Sequence, residues 1–146
     1  MSTRKKRAQL VGAMFRELRR LVANSVLFNL RMAELLKINP TDLQFVNLLS
    51  IDGPLTPGRL AELTRLTTGG VTVVLDRLEK AGVIRREPNP NDRRSSLVHV
   101  VPNFLRSAET AYGKMGEATD DLLAQFSDKE LAVVLGFLKK ANDTRG

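Results

Sequence analysis

The stretch TPGRLAELTRLTTGGVTVVLDRLEKAGVIRREPNPNDRRSSLVHVV, residues 56–101, decides the fold. Thr56 stands where an N-cap is wanted and Pro57 suits the first helical position, so a helix opens there and turns Leu60, Ala61 and Leu63 inward. After a break at Leu66-Thr67, Thr68 is placed to cap a second helix that Gly82 ends. Val71, Val74, Leu75 and Leu78 fall at i, i+3, i+4 and i+7, one apolar stripe along that second helix. Two β-rich runs follow, 83–87 and 97–101, joined by the polar turn Pro88-Asn89-Pro90-Asn91-Asp92-Arg93-Arg94-Ser95-Ser96. Helix, turn, helix and hairpin in this order build a winged helix-turn-helix, a module that usually reads double-stranded DNA.

The flanks read as long helices. Residues 1–7 have no apolar periodicity and are expected to form a frayed arm whose Arg4-Lys5-Lys6-Arg7 cluster can touch phosphates without reading sequence. Residues 8–36 lack proline and carry glycine only at Gly12, while Leu10, Met14, Leu18, Leu21, Val22, Val26 and Leu30 supply an apolar stripe. A helix this long cannot bury its stripe against a small reading head alone, which points to a second chain. Thr41 with Gln44 reads as a capping box for a helix over 43–50 that turns Phe45, Leu48 and Leu49 inward. Ile51-Asp52-Gly53-Pro54 stops it, and Leu55 can form a brief strand beside the hairpin. Residues 102–126 read as a helix, and Ser127 with Glu130 is a second capping box leading into Leu131, Val134, Leu135 and Leu138.

Composition narrows the function classes. At 146 residues the chain is expected to be one domain with a core that needs no staples. It has no cysteine, which excludes disulfides, thiolate metal sites and cysteine nucleophiles, and its one histidine, His99, makes a histidine-based metal site or triad improbable. No apolar run approaches the ~18 residues of a membrane span and no signal-peptide pattern opens the chain, so a soluble, cytoplasmic protein is expected. The formal charge is +7. Residues 1–20 hold seven Lys or Arg against one Glu, and residues 57–106 hold nine against five acidic residues. The excess sits on the amino-terminal segment and the helix-turn-helix with its hairpin, which suits a polyanionic partner.

The arrangement resembles the multiple-antibiotic-resistance regulator (MarR) family of bacterial transcription factors over nearly the whole chain, roughly residues 10–141. The run Val71-Thr72-Val73-Val74-Leu75-Asp76-Arg77-Leu78-Glu79-Lys80-Ala81-Gly82-Val83-Ile84 looks like the family's recognition helix entering its wing, and Asp92-Arg93-Arg94 looks like its wing-tip Asp-x-Arg motif. The fold class implied is mainly α with a small β-hairpin wing. Within a single domain, 1–146, it places dimerisation helices at 8–36 and 102–142 and a DNA-binding region at 41–101. The resemblance further implies a homodimer on a near-palindromic operator, more often repressing than activating, and release by a small aromatic or phenolic ligand. One departure stands out. Members commonly place Leu-Thr after the wing, with the Thr capping the next helix, whereas this chain reads Val100-Val101-Pro102-Asn103.

With the apolar stripe turned inward, the outward face of the second helix carries Thr68, Gly69, Thr72, Val73, Asp76 and Arg77. Thr72 can hydrogen-bond a base edge or, like Val73, touch a thymine methyl. Gly69 and Gly70 either let the helix approach closely and donate backbone N–H groups to a phosphate or merely loosen its first turn. Arg77 can reach a phosphate or pair with its own helix's acids. At the hairpin tip, Arg94, flanked by Arg93, can enter a narrow A·T-rich minor groove, and Asp92 is expected to orient Arg94 through a charged hydrogen bond. Arg85 and Arg86 alternate across the strand, so only one can face a duplex, and either can simply blunt an edge. His99 reads as a strand surface residue. For an effector, the resemblance points to Phe28, Met32 and Phe45 as apolar lining with Arg16, Arg20 or Asn24 as polar anchors.

Two other functions compete with a ligand-responsive regulator. A constitutive architectural DNA-binding protein would share the basic head and its sparse base-reading face. An enzyme is disfavoured, because Asp120 and Asp121 are adjacent on a helix and point apart, with no nucleophile–base pair beside them.

Overall fold

The computed structural model describes residues 2–144. Its elements run α1 (Thr3–Leu36), α2 (Pro40–Asp52), α3 (Pro57–Thr64), α4 (Thr68–Lys80), β1 (Ile84–Pro88), β2 (Ser96–Val100), α5 (Pro102–Leu123) and α6 (Asp128–Asp143). The chain divides into two compact units, the first ending at Leu43 and the second beginning at Gln44.

The first unit is α1 and the start of α2. The basic arm does not fray: helix begins at Thr3, with the Ser2 hydroxyl accepting from the Lys5 amide at 3.4 Å. Lys and Arg are good helix formers, so propagation from an adjoining long helix needs no apolar partner there. Met1 lies outside the described residues. The expected stripe is helical but uncovered: Leu10, Met14, Leu21, Val22, Val26 and Leu30 are all exposed, and Leu10 keeps 63% of its surface. Helix α1 ends where Lys37 takes a left-handed conformation. Asn39, not Thr41, then caps α2, its side-chain oxygen accepting from the Asp42 amide at 2.8 Å with Pro40 at the first helical position. The Thr41–Gln44 spacing mimics a capping box two residues too late.

The second unit holds the reading head. Thr56 caps α3 as expected, accepting from the Arg59 amide at 3.1 Å. Thr67, one residue before the expected Thr68, caps α4 and accepts from the Gly70 amide at 3.0 Å. Either threonine has the right chemistry; the left-handed turn at Arg65 brings Thr67 into extended backbone first. The stripe Val71, Val74, Leu75 and Leu78 is buried with Leu60, Val83, Ile84 and Val98. Gly82 closes α4 at φ 72°, a conformation that glycine adopts without strain. β1 and β2 pair antiparallel, Ile84 opposite Val100 and Arg86 opposite Val98, and Leu55 adds a single bridge to Val98.

Helices α5 and α6 complete this unit and bury none of their residues. Val101 caps α5 without any side-chain hydrogen bond and Pro102 takes the first helical position, so the threonine cap of the family pattern is absent. The Ser127–Glu130 capping box forms in both directions. Met115, Leu122, Leu123, Phe126, Val133, Val134, Leu135, Phe137 and Leu138 remain exposed on these two helices and the turn between them. No helix among the described residues is long and apolar enough to cross a membrane.

Candidate nucleic-acid interface

Burial of one stripe of α4 leaves the other in solvent. Thr68, Gly69, Thr72, Val73, Asp76 and Arg77 are all exposed on it, while Gly70 is half-buried. Val73 keeps 59% of its surface, a large apolar side chain held away from the core. The Thr72 hydroxyl donates to the Thr68 carbonyl at 3.0 Å, so its oxygen is left to accept. The two glycines differ. The Gly70 N–H already donates to Thr67, and a Cβ on Gly70 would stand 3.3 Å from the Thr67 hydroxyl, so this glycine serves the cap. A Cβ on Gly69 would meet nothing nearer than 4.0 Å, so its use is not dictated by packing.

The wing tip is a built turn. The Asn89 amide donates to the Ser95 carbonyl at 3.3 Å, the Asn89 side chain donates to the Ser95 hydroxyl at 3.0 Å, and the Ser95 amide returns to the Asp92 carbonyl at 3.2 Å. Asp92 Oδ1 accepts from the Arg94 backbone amide at 2.9 Å. The contact expected between these two residues therefore exists, but it fixes the Arg94 main chain and not its guanidinium. Arg93 and Arg94 are both exposed. Short polar side chains bonding the backbone two residues on hold such a tip without an apolar core.

The two strand arginines separate as alternation requires. Arg85 faces outward and pairs with Glu87 at 3.0 Å. Arg86 turns towards α4, where its guanidinium hydrogen-bonds Asp76 and stands 3.4 Å from Glu79. His99, opposite Arg85, is half-buried with Nε2 3.1 Å from Glu87 Oε2, and so is less of a surface residue than expected. The Arg86 cluster was missed by sequence reading, and strand alternation was the one signal that narrowed it.

Of the residues expected to meet an effector, Arg16, Arg20, Asn24, Phe28 and Met32 recur at every fourth position of α1 and trace one strip of it. Arg16, Arg20 and Asn24 are exposed, Phe28 is half-buried and Met32 is buried. Phe45 lies in the second unit and is buried.

A MarR family model matches residues 36–95, from the end of α1 through the wing tip. The HTH-type transcriptional regulator YcgE of Bacillus subtilis is 37% identical over 143 residues, covering 98% of this chain and 93% of that protein. The chain belongs to the MarR family. The multiple antibiotic resistance protein MarR of Salmonella typhimurium is 34% identical over 109 residues, 70% of this chain and 76% of its own. Two solved MarR-type folds align closely. A mutant of MepR from a multidrug-resistant S. aureus clinical isolate gives a TM-score of 0.74 at 18% identity, covering 90% of this chain and 97% of that one. FabT of Streptococcus pneumoniae, solved in complex with DNA, gives 0.68 at 20% identity, covering 92% and 96%. As a member of the family the chain is a DNA-binding transcriptional regulator and not an enzyme.

Proposed function

We propose that this regulator works in the cytoplasm as a homodimeric repressor of a near-palindromic operator. Each α4 enters a major groove and each wing tip grips the neighbouring minor groove. The observation that supports the dimer is the apolar side chains left exposed on α5 and α6, two helices that bury none of their residues. A two-fold pair of heads then demands half-sites one helical turn, ~34 Å, or a multiple of it apart.

In the major groove Thr68, Gly69 and Gly70 bring the α4 N-terminus to the backbone, with the Gly69 N–H donating to phosphate. Thr72, its proton committed within the helix, accepts from the amino group of adenine or cytosine, and Val73 covers a thymine methyl. Arg77 neutralises phosphate. With so few long side chains on this face, much of the preference comes from groove shape, read by Arg94 with Arg93 in a narrow A·T-rich minor groove and set by Asp92 through the Arg94 main chain. A small aromatic or phenolic effector engages the α1 strip, Arg16, Arg20 and Asn24 as anchors and Phe28 and Met32 as apolar wall, and favours a head separation that no longer fits the operator.

Genome-wide footprinting of the purified protein followed by a salt titration on the recovered site tests this reading. Protection confined to a few palindromes is expected. If a dimer neutralises about eight phosphates, log affinity should fall against log salt with a slope of about −7. Even coverage of the genome would replace the repressor with an architectural protein, and a slope shallower than about −2 would remove the electrostatic grip.

A further inference from the structure

Helix α4 presents carboxylates as well as readers to the side that meets DNA. Asp76 is exposed, Glu79 lies three residues on, and both would repel phosphates at close range. The same two carboxylates converge on one cation from a different element. Arg86 on β1 keeps only 27% of its side chain in solvent; its Nη2 hydrogen-bonds Asp76 Oδ1, and its Nε stands 3.4 Å from Glu79 Oε2. That Nε is buried and has no aligned hydrogen-bond acceptor, so the charge of Glu79 is what offsets its loss of water. A guanidinium shared between two acids three residues apart, on successive positions of one helix face, is held in one orientation.

The placement matters because of what lies beyond it. Opposite Arg86 is the wholly buried Val98, and the turn begins three residues further on at Asn89. At ~3.3 Å of rise per residue the tip therefore starts about 10 Å from the ion pairs. Slack at Arg86 becomes displacement at Arg93 and Arg94. The tip turn is shaped by bonds among its own residues, Asn89 with Ser95, Asn91 with Asn89 and Arg94 with Asp92, and none of these three reaches α4.

We propose that Arg86 is a positioning residue for DNA binding: through Asp76 and Glu79 it locks the wing to the recognition helix and so fixes the offset between the major-groove face of α4 and the minor-groove arginine. Asp76 and Glu79 are retained on a DNA-facing helix as the anchors of this brace. This inference rests on the reading that α4 and the wing tip engage one duplex together.

The test compares Asp76→Asn, Arg86→Met and Arg94→Ala with the unmodified protein on its footprinted operator, following affinity, salt slope, preference for A·T-rich flanks and thermal midpoint. Asp76→Asn deletes a negative charge beside phosphates and should tighten binding if charge alone counts. The brace requires the opposite, weakening by about tenfold with a flattened flank preference. Arg94→Ala, which takes a cation out of the groove, should weaken binding and lower the magnitude of the slope by about 1 for each phosphate it no longer neutralises. Arg86→Met should follow Asp76→Asn, and if it fails to fold, Asp76→Asn decides alone because Arg86 then still has Glu79. Equal or tighter binding by Asp76→Asn overturns the brace, as does weakening that only tracks a fall in the folded fraction. A slope lowered by about 2 in Arg86→Met, one phosphate per subunit, but not in Asp76→Asn makes Arg86 a phosphate contact instead. Failure of the unmodified protein to bind any duplex overturns the inference together with the reading beneath it, whereas normal binding with an indifferent Asp76→Asn overturns the brace alone.

Discussion

The reading head and the terminal helices solve the burial problem in opposite ways. In the head, 56–101, the apolar stripe of α4 finds cover within the same chain, and Leu60, Leu75 and Val98 lose all of their surface. In α1 and α6 the stripes are just as regular, yet Leu10 keeps 63% and Leu135 53% of their surface. Helix periodicity alone therefore says which side of a helix is apolar, not whether this chain covers it. The head is a closed unit built for presentation, while α5 and α6 bury none of their residues.

Two substitutions put that difference under strain. Leu75→Ala removes a wholly buried side chain from the head and should cost about 2–5 kcal/mol, read as a shift of the urea midpoint. A loss below about 0.5 kcal/mol would mean that the head is not the tightly packed body its burial implies. Val134→Asp on α6 places a charge on an apolar face that is open in the single chain. Covering a valine contributes roughly 1.5–3 kcal/mol, so the dimer should weaken by about one to two orders of magnitude. Sedimentation equilibrium should show the shift to monomer with helix content preserved. If the mass does not change, α6 lies outside the dimer contact and the open surface there needs another explanation.

How much of this was legible in the sequence follows from the range of each interaction. The order of elements, the α4 stripe and the hairpin were readable because they depend on spacing within one element and on Gly82 and the Pro-Asn turn. Errors fell at helix starts. Thr67 and Thr68 offer the same hydroxyl, and Thr41 with Gln44 reproduces the capping-box spacing that Asn39 pre-empts. The basic arm misled for a different reason: absence of an apolar stripe says nothing against a helix extended from a neighbour. The Arg86 cluster lay out of reach, because it needs the placement of β1 against α4 as well as the identity of Asp76 and Glu79. Strand alternation reduced the choice to Arg85 or Arg86 and could go no further.

The smallest effect concerns a helix whose stability is set locally. In α6 the Ser127 backbone N–H and hydroxyl both bond Glu130, in that order of effect, and hold its carboxyl below the usual 4.5. A depressed carboxylate stabilises the folded state fully above its unfolded value, and that stabilisation is lost as pH falls through the folded value. Ser127→Ala removes the cap hydroxyl and should cost about 1 kcal/mol near neutrality. It should also leave α6 less sensitive to acid than in the unmodified chain, since Glu130 then titrates closer to its free value. Far-UV circular dichroism in urea at about pH 7 and about pH 4 reads both quantities. If the substitution costs as much in acid as at neutrality, the capping box does not govern this end of α6, and its order must then come from whatever covers Val134 and Leu138.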